Sequence, residues 1–120
     1  MAQKLDDSEL VSFRELLMAN SIQLDTVDAV VEDIIAEMPL DDRVKVANLD
    51  EDGLIVLQLG LGRYLRYLID KQSATVRGKL MADCIKQSGN ETLDEAEAAS
   101  YILREIWVRL RETHLLRVVK

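Results

Sequence analysis

Apolar residues return every three or four positions along most of this chain, and that spacing constrains its fold more than any other feature. Beginning at Leu10 they trace a seam through Phe13, Leu17, Leu24, Val27, Val31, Ile34 and Met38, with the polar Asn20 filling the one gap. The pattern is that of one face of a helix, in heptad spacing. Ser8 or Asp7 suits the start. Pro39, the only proline, ends the run, because the residue before a proline avoids helical backbone. One helix over 8–38 would be ~46 Å long, whereas a compact chain of this size is roughly 35 Å across. The sequence therefore predicts an N-terminal helical hairpin or a long kinked helix, broken near Asn20, or else an overhang that packs on a second chain. Asn20 and Gln23 have the capping-box spacing that such a break needs.

"SFRELLMANSIQLD", from Ser12 to Asp25, resembles the opening of small uncharacterised bacterial helical proteins. The resemblance covers about the first thirty residues. It implies a helical, bacterial protein and no particular activity.

Further helices follow from the same spacing. In "NLDEDGLIVLQLGLGRYLRYLID" the apolar positions Leu54, Leu57, Leu61, Tyr64 and Leu68 fit a helix capped by Asn48, with Glu51 at the capping-box position. Asp50, Glu51 and Asp52 then lie in its first turn, where negative charge suits the helix dipole. A hairpin pairing "RVKVAN" with "LIVLQL" is the competing reading. It would require the period to change midway, so the helix is preferred. "LDDRVKVAN" itself fits a strand or a short helix. Ala74–Gln87 reads as a helix with Val76, Leu80 and Cys84 inward, stopped by Gly89. Thr92 and Glu95 form a capping box for a long C-terminal helix. Its inner positions are Ala96, Ala99, Leu103, Ile106, Leu110 and Thr113, flanked by Ile102 and Trp107. The expected architecture is an all-α compact bundle of about five helices, one domain over 1–120.

Composition agrees with that class. Hydrophobic residues make up 48% and charged residues 31%, a globular balance, and a single proline argues against a turn-rich β protein. Net charge is −7, unevenly spread: residues 1–60 hold 14 acidic against 4 basic side chains, and residues 61–120 hold 8 against 11. The halves should attract, within one chain or between two. An acidic total disfavours general nucleic-acid binding. "MAQKLDDSEL" has no apolar signal core and no run is long enough to span a bilayer, so the expected location is cytoplasmic.

Candidate chemistries are few. "NLDEDG" offers oxygen ligands at calcium-loop spacing, but the twelfth position, where a bidentate glutamate belongs, is Leu59. His114 is the only histidine and the residue three before it is Arg111, so a histidine-based metal site lacks its partners. Cys84 is the only cysteine and faces inward, as an inert thiol does. No metal, cofactor or catalytic set is expected. Arg63, Arg66 and Tyr67, with Arg104, Arg109 and Arg111, form candidate basic faces for a partner; Arg109 can pair with Glu105, while Arg104 and Arg111 have no local partner. The acidic run Glu32, Asp33, Glu37, Asp41 and Asp42 would complement them. The sequence thus points to an interaction or regulatory module. It would self-associate as a homodimer on the seam Leu10, Phe13, Leu17, Asn20, Leu24, Val27, Val31 and Ile34, or bind another protein. A nucleic-acid-linked regulator using the arginines of the last helix is the alternative.

Overall fold

Residues 25–114 are described by the computed structural model, and they form five α-helices with no strand among them. These are α1 (Val27–Glu37), α2 (Leu40–Ala47), α3 (Glu51–Asp70), α4 (Ala74–Ser88) and α5 (Glu95–His114). The architecture is the all-α bundle that the spacing predicts. No helix among the described residues is long and apolar enough to cross a membrane.

The N-terminal seam is interrupted at Thr26, where the backbone is extended (φ −137°, ψ 157°). Its Oγ1 accepts a hydrogen bond from the Ala29 N–H at 3.1 Å and caps α1. Within the described residues the first helix therefore begins after Thr26. Asn20, where the break was expected, lies outside the described residues. At the other end the backbone turns extended at Met38, before Pro39, and α2 starts at once. Arg43 reaches back from α2 to the open carbonyls of α1, donating from Nε to Met38 at 2.9 Å and from Nη2 to Ala36 at 3.2 Å.

"NLDEDG" is a joint between two helices. Asn48 closes α2: its backbone N–H bonds the Val44 carbonyl at 3.1 Å and its side-chain amide bonds the same oxygen at 2.7 Å. Leu49 is fully buried. Asp50, not Asn48, caps α3, accepting from the Gly53 N–H at 2.8 Å. Gly53 lies close to Leu49: a Cβ there would come within 2.9 Å of Leu49 Cδ2, so the buried leucine side chain would have to shift. The strand and hairpin readings of 40–59 are thereby replaced by two helices.

Along α3 the buried positions are Leu54, Leu57, Leu61, Leu65 and Ile69, with Tyr64 and Leu68 only partly covered. The inner face thus continues at Leu65 and Ile69, one residue beyond the expected Tyr64 and Leu68. Ser73 caps α4 and Gly89 ends it with φ +73°, in the left-handed region. The start of α5 departs from expectation by two residues. Asp94 and Glu97 make the reciprocal box, with Glu97 N–H to Asp94 Oδ1 at 2.8 Å and Asp94 N–H to Glu97 Oε1 at 3.2 Å. Thr92 instead donates to Asn90 Oδ1 at 3.0 Å.

Each of the other four helices packs against α5. Ala98, Ala99, Ile102, Leu103, Ile106, Trp107 and Leu110 are buried along it, a stripe wide enough to serve neighbours on two sides. The expected inner positions Ala96 and Thr113 are exposed. Trp107 closes the lower core and donates its indole N–H to the Leu49 carbonyl at 2.9 Å. Trp107→Ala should cost about 3–5 kcal/mol in denaturant unfolding. The native protein, with Trp107 as its only tryptophan, should fluoresce at short wavelength and resist aqueous quenchers. Emission at the wavelength of free tryptophan would contradict this packing.

Candidate interaction surface

The side of α3 turned away from α5 carries more apolar surface than a solvated helix face needs. Leu59 is 77% exposed, Ile55 53%, Tyr67 48% and Val56 47%. They lie opposite the buried Leu54, Leu57, Leu61 and Leu65, so the core does not claim them. Cations follow on the same side toward the C-terminus. Arg63 lies over the Tyr64 ring at 4.9 Å and donates to its hydroxyl at 3.1 Å; Lys71 lies over Tyr67 at 5.2 Å; Arg66 is exposed. At the other end are the capping Asp50 and the first-turn acids Glu51 and Asp52. Beside Leu59 the surface is shallow, since a Cβ on Gly62 would meet nothing within 4 Å.

The arginines of α5 are arranged differently from the expectation. Arg109 pairs with Asp28 and, at 4.0 Å, with Glu32 of α1, rather than with Glu105. The attraction between the acidic and basic halves is thus used, at this point, within one chain. Arg111 has partners far away in sequence: it donates to the carbonyls of Leu49 at 3.1 Å and Ala47 at 3.3 Å, and lies over the Trp107 ring at 4.8 Å. Only Arg104 of the three is exposed, 5.8 Å from the same ring. Of the six proposed partner-binding residues, Arg63, Arg66 and Tyr67 therefore share the open side of α3, and Arg109 and Arg111 hold the bundle together.

Val27, Val31 and Ile34 of the proposed self-association seam are fully buried in the chain's own core. A second copy could reach them only by opening the bundle. Leu10, Phe13, Leu17, Asn20 and Leu24 lie outside the described residues. Sequence reasoning missed Ile55, Val56 and Leu59. Their signal was present: three apolar side chains left over once the inner face of the helix is assigned.

The remaining candidates have structural roles. Cys84 is buried, and burial, with the neighbouring Asp83 carboxylate, pushes its thiol up to about 12, so it stays protonated at neutral pH. His114 ends α5, with Nδ1 2.6 Å from Thr113 Oγ1, and its carbonyl accepts from the Asn48 side chain at 3.4 Å. Asp50 is occupied as a cap. Among the described residues no three of His, Cys, Asp or Glu converge as metal ligands. An open groove of about 510 Å³ runs between Gln58, the α4–α5 connection and Arg104; two of its amides are already spent, Gln58 on the Ser100 carbonyl and Asn90 on Glu97. Comparison with protein-family models, curated proteins and solved structures finds no match.

One charge contact near Arg66 is unfavourable. The carboxyl of Glu95 is raised from its ordinary value, first by a hydrogen bond with the Asp70 carboxyl, against the opposing pull of Arg77 and Arg66. The native state therefore keeps this proton longer than the unfolded chain does. Stability falls as pH rises from the ordinary glutamate range through the raised value. Asp70 also places negative charge on the last turn of α3, where the dipole disfavours it. Asp70→Asn should flatten that part of the pH–stability curve and raise stability at neutral pH by about 0.3–1 kcal/mol, read from urea unfolding at several pH values. An unchanged curve in the variant would show that Asp70 does not raise the Glu95 carboxyl.

Proposed function

We propose that this protein is an interaction module whose docking surface is the open side of α3, and that what docks there is an amphipathic helix. The observation that carries this is the run Ile55, Val56 and Leu59, exposed on a helix whose opposite side already fills the core. Apolar side chains grouped on one rigid helix mark a binding surface more often than a solvated one. Arg63 and Arg66, one turn beyond, favour a partner whose apolar stripe ends in acidic residues. The buried, protonated thiol of Cys84 favours binding over covalent catalysis, and an unpaired cysteine suits a reducing compartment such as the cytoplasm. Reading α5 as a phosphate-binding face has less support, since Arg109 and Arg111 are committed to groups of the chain itself.

The test is chemical cross-linking of the tagged full chain in extracts of its source cells. The unmodified chain should be recovered in an assembly larger than itself. Leu59→Glu should be recovered at the mass of the chain alone, with unchanged helicity and unfolding midpoint, because Leu59 lies outside the core. Equal recovery of the larger assembly by both proteins would overturn the reading.

A further inference from the structure

The partner chemistry just described is present on α3 itself. Asp52, Ile55, Leu59, Gly62 and Arg66 follow one another at spacings of three, four, three and four, on the side away from the core. The first is acidic, the last basic, and the apolar residues lie between. We propose that the occupant of this surface is the α3 of a second copy, running antiparallel about a two-fold axis at Leu59. The inference rests on reading this side of α3 as a docking surface.

The register follows from symmetry. In an antiparallel pair, positions equally far before and after the axis face one another. Leu59, the most exposed of these side chains, meets its own counterpart. Asp52, seven before, faces Arg66, seven after. Ile55 faces Arg63, whose methylene stem can cover it while its charge stays in water. Val56 faces Gly62, where open space receives it. Each relation occurs twice, as an isologous interface requires. A parallel pair would instead set Asp52 against Asp52 and Arg66 against Arg66, and like charges reject that orientation. The exposed charge pairs choose the direction, and the apolar contacts supply the affinity.

The stripe is one helix wide, below the roughly 800 Å² per partner of a standard stable interface. The dimer is therefore weak and reversible. Its measurement is sedimentation of the full chain from about 5 μM to about 500 μM, the range suited to an interface of this class. Mass should rise from monomer toward dimer. Leu59→Glu should weaken association at least about tenfold. Asp52→Arg and Arg66→Asp should each weaken it alone, and an equimolar mixture of the two should restore it. Under mild oxidation, Ile55→Cys mixed with Arg63→Cys should form a disulfide-linked dimer in preference to Ile55→Cys with itself.

A monomer at every concentration would overturn the inference. If Leu59→Glu still loses its larger assembly in extracts, the docking reading survives and its occupant is another protein. A monomer destabilised by Leu59→Glu would give the surface to the chain's own first 24 residues. A dimer indifferent to Leu59→Glu, or one in which Ile55→Cys links to itself, would also overturn it, by placing the contact elsewhere or in parallel.

Discussion

Burial of α5 is the constraint on which the other helices depend. An ordinary surface helix hides one narrow stripe, but here adjacent pairs such as Ala98 and Ala99, Ile102 and Leu103, and Ile106 and Trp107 are all covered. A stripe that wide cannot be closed by one neighbour. α3 takes one flank, and α1 and α2 another, while α4 touches both α5 and α1. The cost of losing a contact on α5 is thereby shared by the bundle, since among the described residues the other helices pack chiefly on it.

The lower end of that packing is fixed by a single carbonyl. Leu49 sits between two helices, where its C=O has no helical partner and its side chain is fully buried. Trp107 and Arg111 both donate to it, and the guanidinium stacks on the indole it accompanies. A buried carbonyl left unpaired would cost about 1–3 kcal/mol. The same contact therefore satisfies the joint between α2 and α3 and sets the register of α5 against it. Gly53 belongs to this arrangement too, because a Cβ there would press on the buried Leu49 side chain.

Three-and-four spacing made the helices over Glu51–Asp70, Ala74–Ser88 and Glu95–His114 legible, whereas Leu40–Ala47 is too short for its spacing to separate a helix from a strand. Helix starts were less legible, for a chemical reason. Asn48 and Asp50 are both capping residues, as are Thr92 and Asp94, and the capping-box position holds an acid for Asn48, Thr92 and Asp94 but Gly53 for Asp50. What decides is the preceding turn: Asn48 is spent on Val44, and Thr92 on Asn90. Charge pairing was legible in outline and not in its partners: the attraction of the two halves and Glu32 were read from the sequence, while Arg109 leaves the local Glu105 for Asp28, 81 residues away. Partners of Arg111 are backbone carbonyls, which no pattern of side chains announces. The seam was read correctly as apolar, and Val27, Val31 and Ile34 are indeed a single face, but periodicity does not say whether that face closes on its own chain or on another.

Surplus is the feature that separates α3 from its neighbours. A helix of this length needs about one apolar residue in three or four to bind a core, and Leu54, Leu57, Leu61, Leu65 and Ile69 already meet that need. Ile55, Val56 and Leu59 exceed it, and exposed apolar groups carry a solubility penalty that charges on the same side only partly offset. Leu40, also exposed, stands outside this helix and has no comparable neighbours on it. The charges on α3 are unevenly placed, with Asp50, Glu51 and Asp52 at the start, Arg63 and Arg66 beyond Leu59, and Asp70 at the end. The first turn is acidic because the dipole favours it there, as any helix start would allow. Arg63 and Arg66 answer no local need of that kind. Their placement on the same side as the surplus apolar residues, beyond Leu59 from the first-turn acids, gives the face proposed for docking a direction. A face that has a direction discriminates between orientations of whatever it binds, and a face of scattered leucines does not.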